Sequence, residues 1–215
     1  MLFRDRAEAG RLLAAELMRY AGVPDTVVLG LPRGGVPVAF EVAKALRAPL
    51  DVFVVRKLGV PAQPELAMGA IASGGIRVLN EEIVQRLGIP EKVIEAVAGE
   101  EERELERRES AYRGSRLKPD VRGRTVILID DGVATGSTMR AAVRALNSQH
   151  PARLIVGVPT AAASTWRELR PEVDEFIALM TPEDFESVGQ WYENFDQTGD
   201  LEVTSLLERA RLSRM

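Results

Sequence analysis

Cysteine is absent from the 215 residues, histidine occurs once, and aromatic residues make up 5% of the chain. The absence of cysteine excludes disulfides, thiolate nucleophiles and cysteine-ligated metals, and it is typical of a protein kept in a reducing compartment. The one histidine, His150, lies between Gln149 and Pro151 in an expected loop, so we assign it no role. We therefore expect a cytoplasmic protein whose chemistry depends on other side chains.

Long apolar runs are also missing. No stretch approaches the ~18 uninterrupted apolar residues of a transmembrane helix, and the N-terminus lacks a basic segment followed by an apolar one. The formal net charge of -4 gives no overall attraction to nucleic acid, and the arginines between residues 103 and 116 are interleaved with glutamates. We expect no membrane or nucleic-acid partner, and any affinity for phosphate must be local.

The apolar residues, 46% of the chain, occur in short β-branched runs at residues 26–29, 51–55, 125–129, 154–158 and 176–179. Runs that are apolar almost throughout are typical of strands buried on both faces of a parallel sheet. Asp5 and Glu8 form a capping-box pattern that predicts the start of the first helix. The sequence thus predicts a single α/β domain over residues 1–180, with a mostly parallel twisted sheet flanked by helices.

Two segments depart from this pattern. Residues 81–118 are rich in Glu and Arg at helical spacing, which predicts one or two solvated helices inserted between strands. Residues 181–215 contain aromatic residues and turn-formers and end in a short predicted helix near residues 202–211. We interpret this second segment as a C-terminal hood and tail.

The segment of residues 126–138 carries most of the functional information. It predicts a buried strand, two carboxylates at the strand's carboxyl end, a loop of small residues and a helix start, and ligands bind at that end of strands in open α/β sheets. The backbone N–H groups and hydroxyls of the loop can converge on a phosphate. The loop residues are Val133, Ala134, Thr135, Gly136, Ser137 and Thr138.

Asp130 and Asp131 precede this loop and would repel a phosphate. Their carboxylates are suited to accept hydrogen bonds from ribose hydroxyls and to organise Mg²⁺. A plain turn and helix start without a ligand is the alternative interpretation. A P-loop is excluded because no lysine follows Gly136.

These thirteen residues resemble the signature with which type I phosphoribosyltransferases bind 5-phosphoribosyl-1-pyrophosphate (PRPP). The resemblance implies transfer of the phosphoribosyl group to a small nitrogenous acceptor such as a nucleobase, as in purine salvage, with release of pyrophosphate. It also implies Mg²⁺, with Asp130 and Asp131 as candidate ligands. Members of this family are often homodimers, although the sequence identifies no interface.

Two further segments extend the resemblance. Arg33, Gly34 and Gly35 follow the first predicted strand and are similar to the family's pyrophosphate loop, although a tight turn without a ligand would look the same. Lys57, at the predicted end of the second strand, resembles a cation at the root of a mobile catalytic loop, for which residues 58–65 are the candidate. A lysine that simply reaches solvent is the alternative. The expected catalytic set is Arg33, Lys57, Asp130 and Asp131.

The identity of the acceptor stays open. The loop at Arg33 is similar to that of bacterial xanthine-guanine enzymes, whereas Ala134, Thr135 and Gly136 more closely resemble the adenine enzymes. Ala134 also stands where hypoxanthine-guanine enzymes carry an acidic residue. Phe185, Trp191 and Tyr192 are candidates for stacking on a flat acceptor, with ordinary core packing as the alternative. A catalytically silent protein that binds PRPP or a nucleotide as a regulator is the alternative function.

Overall fold

The apolar runs predicted as strands form one parallel sheet. The structure is a computed structural model that describes residues 2–61, 63–114 and 116–213. The strands of its parallel sheet run in the order β2-β1-β6-β7-β8, and every neighbouring pair is parallel. They are β1 (Thr26–Gly30), β2 (Leu50–Val52), β6 (Thr125–Ile129), β7 (Arg153–Thr160) and β8 (Glu175–Met180).

Helices cover both faces of this sheet, which explains why β1 and β6 are buried at every position. The helices are α1 (Arg6–Leu17), α2 (Gly35–Leu46), α3 (Glu81–Leu87), α4 (Glu91–Arg113), α5 (Ser137–Asn147), α6 (Ala163–Leu169) and α7 (Asp200–Leu212). Helices α1 and α2 pack on one face, and α5 and α6 pack on the other. The predicted α/β fold with a parallel sheet is confirmed.

The first helix begins where the sequence predicts. The Asp5 carboxylate accepts a hydrogen bond from the backbone N–H of Glu8 at 2.7 Å, and the Glu8 carboxylate accepts one from the N–H of Arg4. These contacts satisfy backbone donors that the first turn of a helix leaves unpaired. The helix start therefore lies at Arg6, immediately beside the ends of the strands.

The segment after β2 differs from its prediction. Strand β2 ends at Val52, and a second, antiparallel sheet follows, made of β3 (Val55–Val60), β4 (Gln63–Ala72) and β5 (Ile76–Leu79). Lys57 therefore lies inside a strand and not at a strand end. The predicted loop of residues 58–65 is a hairpin, because Leu58 and Val60 alternate with less buried positions and enter a hydrophobic cluster. Ala62, within that predicted loop, lies outside the described residues.

The charged insertion forms helices, as predicted, but it is not wholly solvated. Arg108 and Glu104 form an i,i+4 ion pair of 2.8 Å on the outer surface of α4. The opposite surface buries apolar residues against the antiparallel sheet. Arg113, nearly fully buried, donates from Nε to the Asp51 carboxylate at 2.9 Å and so attaches the end of α4 to β2.

The C-terminal segment makes two kinds of contact. A 3₁₀ turn (Val188–Trp191) lies near the site described below, and Phe3 pairs with Tyr192 as a short parallel bridge. Helix α7 packs instead against α2 and α4. Within the described part of the chain, no helix combines the length and apolar character needed to cross a bilayer.

Candidate functional site

Two loops meet at the carboxyl ends of β1 and β6. Because these strands are parallel neighbours, the loop after Gly30 and the loop after Ile129 leave the sheet side by side. The backbone N–H of Leu31 donates to the carbonyl of Ile129 at 2.9 Å. A Cβ on Gly35 would lie 2.7 Å from that same carbonyl oxygen, so only glycine allows this approach.

The basic loop also touches the acidic pair. A Cβ on Gly34 would lie 2.0 Å from Oδ2 of Asp131, so the backbone of Gly34 rests directly against that carboxylate. The peptide bond between Pro32 and Arg33 is cis. Within the described residues, the Arg33 guanidinium makes no hydrogen bond or ion pair. It is half-buried, and its positive charge acts on the hydroxyl of Tyr112 in α4. Tertiary structure thus brings together two segments that are separated by about a hundred residues.

The small-residue loop is held by its neighbours on β7 and α6. The Val133 N–H donates to the Thr160 carbonyl at 2.9 Å, and the Thr165 hydroxyl donates to the Ala134 carbonyl at 2.6 Å. The loop lines a pocket of about 120 Å³ whose wall includes Asp130 and residues 132–139. Helix α5 begins at Ser137, so its free N–H groups and positive dipole end lie at this pocket, which suits a phosphate.

The two carboxylates lie in an environment that disfavours their charge. Burial, together with the negative charge of Asp131, raises the pKa of Asp130 well above its ordinary value. Burial also raises the pKa of Asp131, and the guanidinium of Arg6 opposes that shift. The Asp130 carboxylate accepts a hydrogen bond from the backbone N–H of Asp131 at 2.9 Å, which holds the Asp130 side chain against the main chain of its neighbour.

Arg6 was not expected from the sequence. Its Nε donates to Oδ2 of Asp131 at 2.7 Å, and its Nη1 donates to the carbonyl of Asp196 at 2.7 Å. Its guanidinium carbon lies 3.9 Å from the centre of the Phe195 ring. Arg6 and Asp131 are separated by 125 positions in the chain, so no local pattern could have indicated their contact.

The three aromatic stacking candidates occupy different places. Tyr192 is buried, and its hydroxyl donates to the Asp131 carbonyl at 2.6 Å. Phe185 and Trp191 pair with each other, with ring centres 6.0 Å apart. Between them in sequence, Val188 lies against Gly132, which precedes the small-residue loop. The stacking role of the three residues stays a prediction, but the C-terminal segment does lie at the site.

Lys57 lies in a different pocket from Asp130. It lines a larger pocket of about 380 Å³ between the antiparallel sheet and α5, and this pocket shares Ser137 and Thr138 with the smaller one. Small residues of β4, Ala67, Gly69 and Ala70, form part of its wall. Lys57, although it lies within a hairpin strand, therefore lines the same pocket as the first residues of α5.

The chain is similar to several known proteins. A family model described as "Phosphoribosyl transferase domain" matches residues 65–190. A Mycobacterium tuberculosis (strain H37Rv) protein, provisionally named a phosphoribosyl transferase, is 47% identical over 209 residues, which are 97% of this chain and 47% of that protein. The chain thus spans about half the length of the curated relatives that it matches first.

The chain is also similar to one solved structure over almost its whole length and to a more distant curated protein over part of it. The crystal structure of TT1426 from Thermus thermophilus superposes with a TM-score of 0.88 at 42% identity, covering 97% of this chain and 99% of TT1426. The bifunctional protein PyrR of Roseiflexus sp. (strain RS-1) is 26% identical over 141 residues, which are 65% of this chain and 58% of that protein.

Proposed function

Because the chain belongs to the phosphoribosyl transferase family, we propose that it binds PRPP at the carboxyl ends of β1 and β6 and transfers the phosphoribosyl group to a nucleobase. Pyrophosphate is the leaving group, and the reaction is of the purine-salvage type. One observation carries the proposal: a phosphate-sized pocket of N–H and hydroxyl donors lies directly beside two carboxylates, and the backbone of the basic loop touches one of them. Donors for a phosphate next to acceptors for a diol match ribose 5-phosphate.

Each part of PRPP has its counterpart in this arrangement. The 5-phosphate would lie in the loop of residues 132–138, where hydroxyls and helix N–H groups can donate to it. Asp130 and Asp131 would accept hydrogen bonds from the ribose hydroxyls. Arg33 and the N–H groups of Gly34 and Gly35 would face the pyrophosphate. Lys57 would approach from the hairpin.

The two carboxylates also fit Mg²⁺. Within the described residues, no cluster of three or more acidic or histidine side chains could hold a metal by itself. Mg²⁺ is usually held by one or two carboxylates together with substrate phosphates, so Asp130 and Asp131 with PRPP would form an adequate oxygen donor set. When bound, the ion would neutralise charge on the pyrophosphate.

The chemistry needs no nucleophile from the protein. As the bond between the ribose and pyrophosphate breaks, positive charge develops on the sugar and negative charge on the leaving group. Arg33 and Lys57 would stabilise the leaving group, and the fixed carboxylates would keep the sugar aligned for attack by the acceptor. The hairpin and the turn at Val188 border the site and would limit the access of water, which would otherwise hydrolyse PRPP.

Calorimetric titration with PRPP and Mg²⁺, followed by a panel of purine, pyrimidine and pyridine bases, tests the proposal. We expect PRPP to bind and pyrophosphate to be released with at least one base. The double variant Asp130→Asn/Asp131→Asn should lose turnover but stay folded, and Asp120→Asn, an exposed change outside the site, should behave as the wild type. PRPP binding without release would favour a regulatory protein, and no PRPP binding would overturn the proposal.

A further inference from the structure

Arg6 is fixed from three directions by segments distant in sequence. It is the first residue of α1, and its side chain is 12% exposed. Its Nε donates to Asp131, its Nη1 donates to the carbonyl of Asp196, and its guanidinium stacks on Phe195. Since each contact engages a different part of the planar guanidinium, the group has one orientation available to it.

The contacts of Arg6 restrict the orientation of the Asp131 carboxylate. Its Oδ2 accepts the Arg6 hydrogen bond at 2.7 Å and also faces Gly34, where a Cβ would lie 2.0 Å from it. A Cβ at that position would also lie 3.3 Å from Nε of Arg6, so the three groups form one tight contact. The main chain of Asp131 is held as well, because its carbonyl accepts from Tyr192. Rotation of the carboxylate would break the bond to Arg6.

An ordinary ion pair on the same helix provides a contrast. Arg11 lies 3.9 Å from Glu41, and 49% of its side chain is exposed. Solvent-exposed pairs of this kind contribute little, whereas a buried, charge-assisted hydrogen bond is short and directional. Arg6 therefore has the geometry of a group that orients its partner, and Arg11 does not.

We propose that Arg6 is a positioning residue, which holds the Asp131 carboxylate in the orientation that accepts hydrogen bonds from the ribose hydroxyls of PRPP. This inference rests on the proposed function. Helix α1 carries Arg6, and Phe195 and Asp196 of the C-terminal segment hold its guanidinium in place. The two segments therefore act together on the orientation of the Asp131 carboxylate. Arg6 acts through Asp131 and has no contact with the substrate of its own.

The test is calorimetric titration of the full chain with three probes, PRPP, ribose 5-phosphate and inorganic pyrophosphate. Arg6→Gln should weaken binding of both ribose-containing probes by about tenfold or more, the effect of losing a charge-assisted hydrogen bond. Pyrophosphate affinity should stay unchanged, because pyrophosphate has no ribose for Asp131 to bind. Arg6→Lys should recover part of the loss, and Arg11→Gln should leave all three affinities as in the wild type.

A double-mutant cycle tests whether Arg6 affects ribose binding through Asp131. In a chain that already carries Asp131→Asn, Arg6→Gln should cost no further affinity for ribose 5-phosphate. The inference would be overturned if Arg6→Gln lowered the affinity for ribose 5-phosphate as much in the Asp131→Asn background as in the wild type. It would also be overturned if Arg6→Gln lowered the affinity for pyrophosphate as much as the affinity for PRPP. If Arg6→Gln does not fold, Arg6→Lys carries the test, with about a threefold loss of PRPP affinity expected for one lost hydrogen bond. An unchanged PRPP affinity in Arg6→Lys would then refute it.

The proposed function and this inference fail in different ways. If the wild-type chain binds neither PRPP nor ribose 5-phosphate, the proposed function is wrong and the role of Arg6 falls with it. If the wild type binds both probes and Arg6→Gln binds them equally well, the proposed function stands and the inference alone is wrong.

Discussion

Replacing Gly34 by alanine tests whether the contact between the two loops is essential. The backbone of Gly34 is in the right-handed helical region, so alanine adds no backbone strain and the effect is steric. The new Cβ would lie 2.0 Å from Oδ2 of Asp131, whereas ordinary contact begins at 3.4 Å, a shortfall of about 1.4 Å. Moving Asp131 away from the new Cβ would break its hydrogen bonds with Arg6 and Tyr192.

A displacement of that size should be costly for function. Misplacement of a reacting group by about 1 Å can lower activity about 100-fold, so we expect Gly34→Ala to lose at least that much in PRPP-dependent pyrophosphate release. Overpacking should also lower the free energy of unfolding by about 1–3 kcal/mol. The assays are calorimetric PRPP binding, pyrophosphate release and thermal unfolding.

Gly99→Ala is the matched control for this change. Gly99 lies in the middle of α4, and a Cβ there would meet open space. Alanine is about 1 kcal/mol better than glycine in a helix interior, so this variant should be slightly more stable and bind PRPP as the wild type does. If Gly34→Ala matches Gly99→Ala in binding and activity, the contact between the loops is not needed for function.

Two more predictions concern the support of the site. The raised pKa of Asp130 means that the folded state favours its protonated form, so the stability of the apo protein should fall as pH rises through that raised pKa. Asp130→Asn should therefore unfold at a higher temperature than the wild type at pH 8, with no difference below about pH 3, where the carboxyl is protonated in both states; a pH-independent difference would contradict this. Tyr192→Phe leaves the buried Asp131 carbonyl without its partner and should cost about 1–2 kcal/mol of stability and weaken PRPP binding. Tyr20→Phe, which loses a hydroxyl bonded to Glu175 outside the site, should leave PRPP binding unchanged.

The sequence predicted the parallel sheet, and the acidic pair and small-residue loop at its edge, because each depends on residues close together in the chain. Strands buried on both faces need uninterrupted apolar runs, and the strand, acidic pair, small-residue loop and helix of residues 126–138 follow one another directly. The cap at Asp5 is local as well. Each of these features depends on residues a few positions apart, which is the range over which sequence patterns are informative.

The hairpin shows where local patterns mislead. The sequence predicted that Lys57 ends a strand and precedes a loop. In the structure, Lys57 lies inside β3, which pairs with β4 in the antiparallel sheet. The glycine and proline that follow indicated a loop, whereas burial of Leu58 and Val60 against α4 and its neighbours favoured a strand. Packing between elements decided the conformation over the local preference of the residues.

By itself, the sequence determined the strands of the parallel sheet, the acidic pair with the small-residue loop that follows it, and the glycines that allow two loops to approach. Only the tertiary structure decided that Arg6 would bond to the Asp131 carboxylate, that Tyr192 would bond to the Asp131 carbonyl, and that Lys57 would line a pocket with the start of α5. The physical reason is the distance along the chain. These contacts join residues more than sixty positions apart, and such pairs form only when the parallel sheet brings the ends of its strands and the chain termini to one edge.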